Sequence, residues 1–221
     1  VDMDADNYLH AAEKSISDCI KIMKEKNLDV NNIRSVFGDG GILGIVGVDE
    51  NCNAITPYIN YLDSRTQSDA EEISALNLDI WAKETGNPRP NCMFPALFAR
   101  WFLKNSEEFK TKGKFIDWGA LSGWGLGYDI IKKEWSQKQL DILSLDKKYL
   151  PRIVKPWDII GKVTKEFSEK TGLPEGIHVC AGTGDTMQSM IGCGVTEPNK
   201  AADVAGTCAM FCIAVDGIKP E

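Results

Sequence analysis

Apolar residues Leu9, Ala12, Ile16, Ile20 and Met23 recur at the three-and-four spacing of one buried helical face. The helix they predict is capped by Asp4 or Asp6 and runs to about Lys26. Ile33–Phe37 and Ile42–Val48 read as two extended segments, with a Gly-rich turn at Gly38–Gly41 between them and Asp49-Glu50-Asn51 as a closing turn. Helical patterning then covers 65–84, 94–105, 117–126, 136–143 and 163–170, punctuated at Gly86-Asn87-Pro88, Lys112-Gly113 and Lys155-Pro156. The pattern breaks at Thr171-Gly172-Leu173-Pro174-Glu175-Gly176. A new series follows: strand Ile177–Ala181, turn Gly182–Asp185, a helix to Ile191, and strands near 202–205 and 209–215. This alternation predicts an α/β chain with a domain boundary at the break, giving residues 1–175 and 176–221.

Composition narrows the class. A chain of 221 residues holds one large domain or two small ones. With 43% hydrophobic and 26% charged residues, 20 Gly and 9 Pro, it is neither disordered, nor collagenous, nor a disulfide miniprotein. Asp plus Glu at 32 against Lys plus Arg at 25 leaves a net charge of −7, which argues against nucleic acid as the partner. The seven scattered cysteines suit a reducing cytoplasm. No apolar run approaches the roughly 18 residues of a membrane span, and the acidic opening VDMDADNY is unlike a signal peptide, so no membrane partner is expected. A chain that opens at Val1 and stops just after an apolar run is expected to be part of something longer.

Two local features could carry chemistry. In Val179-Cys180-Ala181-Gly182-Thr183-Gly184-Asp185-Thr186 a strand leads through small residues to a carboxylate at a helix start, where α/β folds place ligands. Asp185 there either orients a hydroxyl nucleophile or caps the helix. In Asp203–Met210 two apolar runs pinch at Gly206-Thr207, a hairpin tip whose N–H groups and hydroxyl would suit phosphate oxygens, or which is simply a turn. The chain has no GxxxxGK[ST], and Gly123-Trp124-Gly125-Leu126-Gly127 is not a dinucleotide fingerprint. His178, Cys180, Cys208 and Cys212 fall on strand positions, where buried thiols explain them better than a metal, and no metal ligand is assigned.

Taken in order, the segments resemble the FGGY family of carbohydrate kinases. VDMDADNYLHAAEKSI is similar to the family's acidic-aromatic helix start, IRSVFGDGGILGIVGVDE to the strand pair around SGQxHG, and ITPYINYLDSRTQSDAEEI to the W-x-D-x-R-T segment. Met93–Asn105 resembles the first family signature, and AGTGDTMQSMIGCG and VAGTCAMF follow at the family's spacing. The resemblance implies an actin-like ATPase (ribonuclease H-like) α/β fold, with residues 1–175 in the sugar-binding domain and 176–221 opening the nucleotide-binding domain. It implies Asp185 as the catalytic base and Gly206 with Thr207 against the transferring phosphate. Asp39, Ile42, Leu43, Asp63, Arg65 and Met93 are placed on the sugar-pocket wall, with Thr186 beside the base.

The reaction so implied is transfer of the ATP γ-phosphoryl group to a hydroxyl of a sugar or polyol, with a ketopentose such as xylulose or ribulose foremost, and Mg2+ bridging the phosphates. The sequence also departs from the family. Gly41-Ile42-Leu43 stands where xylulose kinases carry Gln-Met-His, Phe98 replaces a signature Lys, Cys208 the usual Ser or Gly, and Asn199 a frequent Gly. Those changes leave a rival reading, a kinase-like module that binds a sugar or a protein without transfer. The family's Asp-x-Gly-Thr loop would precede Val1 and its adenosine site would follow Glu221, so the isolated chain is expected neither to turn over ATP nor to cover all its strand edges. Self-association as a homodimer through those edges is the corresponding expectation.

Overall fold

Asp4 accepts the N–H of Asp6 through its side chain and so sets the start of α1 (Ala5–Glu25). The computed structural model describes residues 2–116, 121–205 and 209–217. After α1 come β1 (Ser35–Gly40), β2 (Val46–Val48), α2 (Gln67–Ala75), α3 (Ile80–Thr85), α4 (Pro95–Asn105), α5 (Glu107–Lys112), β3 (Lys114–Ile116) and α6 (Leu121–Trp124). Then follow β4 (Tyr128–Asp129), β5 (Glu134–Trp135), α7 (Gln137–Leu143), β6 (Ile159–Lys162), α8 (Lys165–Thr171), β7 (His178–Gly184), α9 (Asp185–Gly192), β8 (Ala201–Ala205) and β9 (Ala209–Ile213). Among the described residues, no helix is long and apolar enough to cross a membrane.

The chain divides into two compact units, one of residues 1–2, 39–153 and 183–221, the other of residues 3–38 and 154–182. The first is organised by aromatic packing. Phe109 and Phe115 stack at 4.2 Å and Phe102 lies 6.1 Å from Phe115, all within a cluster that includes Trp81, Leu97, Phe98, Trp124, Leu140 and Leu143. Phe115 reaches this core from β3, which pairs antiparallel with β2 in the register Val46↔Ile116, Gly47↔Phe115 and Val48↔Lys114. Asp69 is buried there beside Arg100, whose Nε lies 3.1 Å from its Oδ1, and Lys104 bonds the same oxygen. A buried carboxylate is tolerated because two cations neutralise it.

The second unit packs α1 and α8 around Ile20, Val163 and Leu173, with Ile16, Met23, Val36 and Phe167 against them. Its sheet runs in the order β1-β7-β6, with β6 and β7 antiparallel in the register Gly161↔Val179 and Lys162↔His178. Thr164 caps α8 by accepting the Phe167 N–H, and Gly172 ends it in the left-handed conformation.

Several boundaries differ from the sequence reading. Only the C-terminal half of the α1 stripe is covered, and Leu9 is 49% exposed. The single helix expected over 65–84 is two, because Asn77 takes φ 46 and ends α2. The Gly-rich stretch is extended through Gly40, so the turn falls at 41–44 rather than at 38–41. β7 likewise continues through Gly184, and no turn separates it from α9. Helix α5 and strand β3, absent from the reading, are six and three residues long, too short to display a period.

Candidate active site

β7 delivers the carboxylate. Cys180 and Thr183 are buried, and Gly182 adopts φ 70 where a Cβ would overlap the carbonyl oxygen of Gly38. Only glycine fits that close passage of two backbones. Gly184 is the N-cap of α9, so Asp185 is its first helical residue and not its cap. The Asp185 side chain is exposed, and its Oδ1 accepts the Thr186 N–H at 2.7 Å and the Thr186 hydroxyl at 3.4 Å. No hydrogen bond occupies Oδ2 among the described residues. Buried Met190 anchors the helix at its other end. The strand end and helix start therefore present one carboxylate oxygen for a donor, at the positive end of the helix dipole.

Gly206 and Thr207, and with them Cys208, lie outside the described residues. The strands on either side, β8 and β9, are antiparallel, with Val204 opposite Met210 and Ala205 opposite Ala209. Among the described residues no group of three or more His, Cys, Asp or Glu side chains could hold a metal ion. Cys19, Cys52, Cys92, Cys180, Cys193 and Cys212 are free thiols.

The residues assigned to the sugar wall fall at three places in the first unit. Asp39 is exposed near the end of β1, and Ile42 and Leu43 are half-buried in the turn that follows, with Leu43 at φ 65. Asp63 and Arg65 bind each other: Oδ1 accepts the backbone N–H and Nε–H of Arg65 at 2.9 Å, and Oδ2 accepts Nη2–H at 2.9 Å. The Arg65 guanidinium also meets Asp2 and lies 4.9 Å over the Trp101 ring. The hydrogen bonds from Arg65 hold the Asp63 carboxyl well below the usual range, and those to Asp63 hold Arg65 correspondingly high. Met93 is half-buried just before α4, its N–H donating to Asn91 Oδ1 at 3.1 Å.

No hydrogen bond or ion pair joins Asp185 or Thr186 to any of these wall residues. Phe98, where the signature has Lys, is fully buried in the aromatic core. Sequence reasoning missed Trp101 as the platform under Arg65, Tyr58 against Gly44, and Gly123 against Ile42. These partners are 36, 14 and 81 residues away in sequence, so no local spacing could have signalled them.

Residues 113–192, which include Asp185 and Thr186, match the N-terminal domain of the FGGY family of carbohydrate kinases. The chain is 23% identical over 196 residues to a xylulose kinase of Staphylococcus xylosus, covering 80% of this chain and 40% of that protein. It is 30% identical over 211 residues to an autoinducer-2 kinase of an Enterobacter species, covering 86% of this chain and 39% of that protein. A glycerol kinase of Plasmodium falciparum, solved with ADP, superposes with a TM-score of 0.84 at 20% identity, over 96% of this chain and 46% of its own. The chain thus spans less than half the length of these relatives, and it shares their actin-like α/β fold. With its signature segments in order and a family match that ends seven residues past Asp185, the chain is similar to the FGGY family of carbohydrate kinases.

Proposed function

We propose that the protein carrying this chain transfers the γ-phosphoryl group of ATP to a hydroxyl of a sugar or polyol, with a ketopentose such as xylulose or ribulose as the substrate class. The observation that carries the reading is the Asp185 carboxylate at the junction of β7 and α9, steadied through Oδ1 by Thr186 with Oδ2 unengaged. A sugar hydroxyl donating to Oδ2 is aligned for attack on the γ-phosphorus. The new O–P bond forms as the bond to the ADP oxygen breaks, and the hydroxyl proton passes to Asp185. Because the transition state is loose, the carboxylate acts chiefly by positioning, with proton removal late.

ATP enters with its magnesium ion as substrate, and the described residues offer no all-protein cage for that ion. Gly206 and Thr207 are proposed to contact the transferring phosphate, and Asp39, Ile42, Leu43, Asp63, Arg65 and Met93 to wall the sugar. The nucleotide-binding half is proposed to begin at about residue 176. The rival reading, binding without transfer, loses one of its supports, since Phe98 lies in the core where a lost polar contact is not at issue.

The test is ADP release by the natural protein over a panel of pentuloses, polyols and hexoses. Sugar-dependent ADP formation that collapses in Asp185→Asn is expected. Tight sugar binding with no ADP formed would establish the binding module instead.

A further inference from the structure

β7 outruns its neighbour in the sheet. The ladder with β6 reaches only as far as Ile159 opposite Cys180, so the stretch Ala181–Gly184 that leads to Asp185 is paired with no β6 residue. The turn before β6 takes over. Ala181 N–H donates to the Asp158 carbonyl at 3.0 Å, and Gly182 N–H donates to the Pro156 carbonyl at 2.8 Å. Successive N–H groups of a regular strand point to opposite edges. Here two in a row reach one turn, and the irregularity falls at Gly182, which takes φ 70. On its other side Gly182 is pressed against Gly38, since a Cβ there would overlap the Gly38 carbonyl and lie 2.8 Å from the Gly38 nitrogen. The turn itself is closed by a side chain: Asp158 Oδ2 accepts the Lys155 N–H at 2.9 Å, and the Asp158 N–H donates to the Lys155 carbonyl at 3.0 Å.

Between that bend and the carboxylate the chain has no slack. Only Thr183 and Gly184 separate Gly182 from Asp185, both are buried, and Gly184 is already the N-cap of α9. A rotation of the strand at Gly182 is therefore carried into the first turn of the helix, and a misplacement of about 1 Å at a reacting group costs on the order of a hundredfold in rate. We propose that the Lys155–Asp158 turn is a clip that aims Asp185, and that Asp158, whose side chain closes the clip, is a positioning residue for phosphoryl transfer. What Asp158 supplies is an acceptor oxygen, because its partner is a backbone N–H. The proposal rests on Asp185 as the carboxylate that aligns the sugar hydroxyl, and it adds to that site a residue 27 positions upstream that acts only through β7.

The experiment is a double-mutant cycle on the natural protein, with the sugar that gives the fastest ADP release. It compares kcat, KM and Tm of wild type, Asp158→Ala, Asp185→Asn and the double variant, with Asp158→Asn alongside. Asp158→Ala is expected to lower kcat about tenfold to a hundredfold while KM stays within about twofold. Asp158→Asn, whose amide oxygen can still accept the Lys155 N–H, should stay within about threefold of wild type. In the Asp185→Asn background Asp158→Ala should cost less than about twofold, because the group it aims is gone. An equal loss from Asp158→Ala in both backgrounds marks a general structural defect and overturns the proposal, as does an Asn variant as slow as the Ala variant. Amide hydrogens of Ala181 and Gly182 that exchange without protection in the wild-type protein overturn it with no variant needed. Near-normal kcat in Asp185→Asn overturns the reading on which this inference rests, whereas a collapsed kcat there beside an unchanged kcat in Asp158→Ala overturns this inference alone.

Discussion

Replacing Asp185 by Asn separates a catalytic carboxylate from a structural one. The amide keeps the shape of the side chain, and its oxygen can still accept the Thr186 N–H that Oδ1 accepts at 2.7 Å. Because the N-cap of α9 is Gly184, no cap is lost. What disappears is a negative charge in the first turn, worth about 0.3–1 kcal/mol at an exposed helix start. That corresponds to a fall in Tm of at most about 2–4 °C for a protein of roughly this size. Loss of the group that aligns and deprotonates a hydroxyl costs about a hundredfold to ten-thousandfold in kcat, or about 2.7–5.5 kcal/mol in the barrier. The two roles therefore differ by several kcal/mol in the barrier but hardly at all in stability. The assay is kcat, KM and Tm of wild-type and Asp185→Asn natural protein with its best sugar. A KM within a few fold, a Tm within a few degrees and a collapsed kcat are expected. Near-normal kcat in a folded variant refutes the assignment and leaves Asp185 as a helix-start charge.

Other consequences are equally direct. Gly182→Ala places a Cβ on the Gly38 carbonyl at φ 70, and it should destabilise the protein by more than about 2 kcal/mol, read by urea titration; a neutral change would mean that the strands can part there. Phe109→Ala empties a fully buried site stacked on Phe115 and should cost about 3–5 kcal/mol by the same measurement, with a cost under about 1 kcal/mol counting against the aromatic core. Asp63→Asn leaves Arg65 without its bidentate partner and should cost about 1.5–3 kcal/mol at neutral pH. Since the folded carboxyl lies below its unfolded value of about 3.9, that stability is present above about pH 4 and is lost only as pH falls further. Melting curves should therefore show a constant gap between wild type and Asp63→Asn from pH 8 to pH 5, narrowing below pH 4. A gap already closed at pH 5.5 would contradict the pairing.

Residues close in sequence encoded much of the site. The run Val179–Thr186 announces a strand and a carboxylate at a helix start, and both stand in the structure because each depends on neighbours within a few positions, whereas the close passage at Gly182 is set by Gly38, 144 residues away. The W-x-D-x-R-T likeness marked Asp63 and Arg65, and their pairing is likewise local, two residues apart. Phe98 shows the limit. Read as a substituted signature residue it suggested a damaged site, yet its rotation about α4 places it in the core, a placement fixed by what packs on the helix and not by the motif.

The sequence by itself determined the α/β class, the order of the main elements, the net charge of −7, and Asp185 as the carboxylate to watch. Periodicity, glycine placement and net charge are properties of short stretches or of the whole sum, and they survive without coordinates. Only the tertiary structure decided that Gly184 rather than Asp185 caps α9, that Trp101 lies under Arg65, and that Tyr58 and Gly123 close on the Ile42-Leu43 turn. Those contacts join positions up to 81 apart in the chain. Whether such positions meet is fixed by the shared burial of many side chains, a collective property that no single stretch of sequence carries.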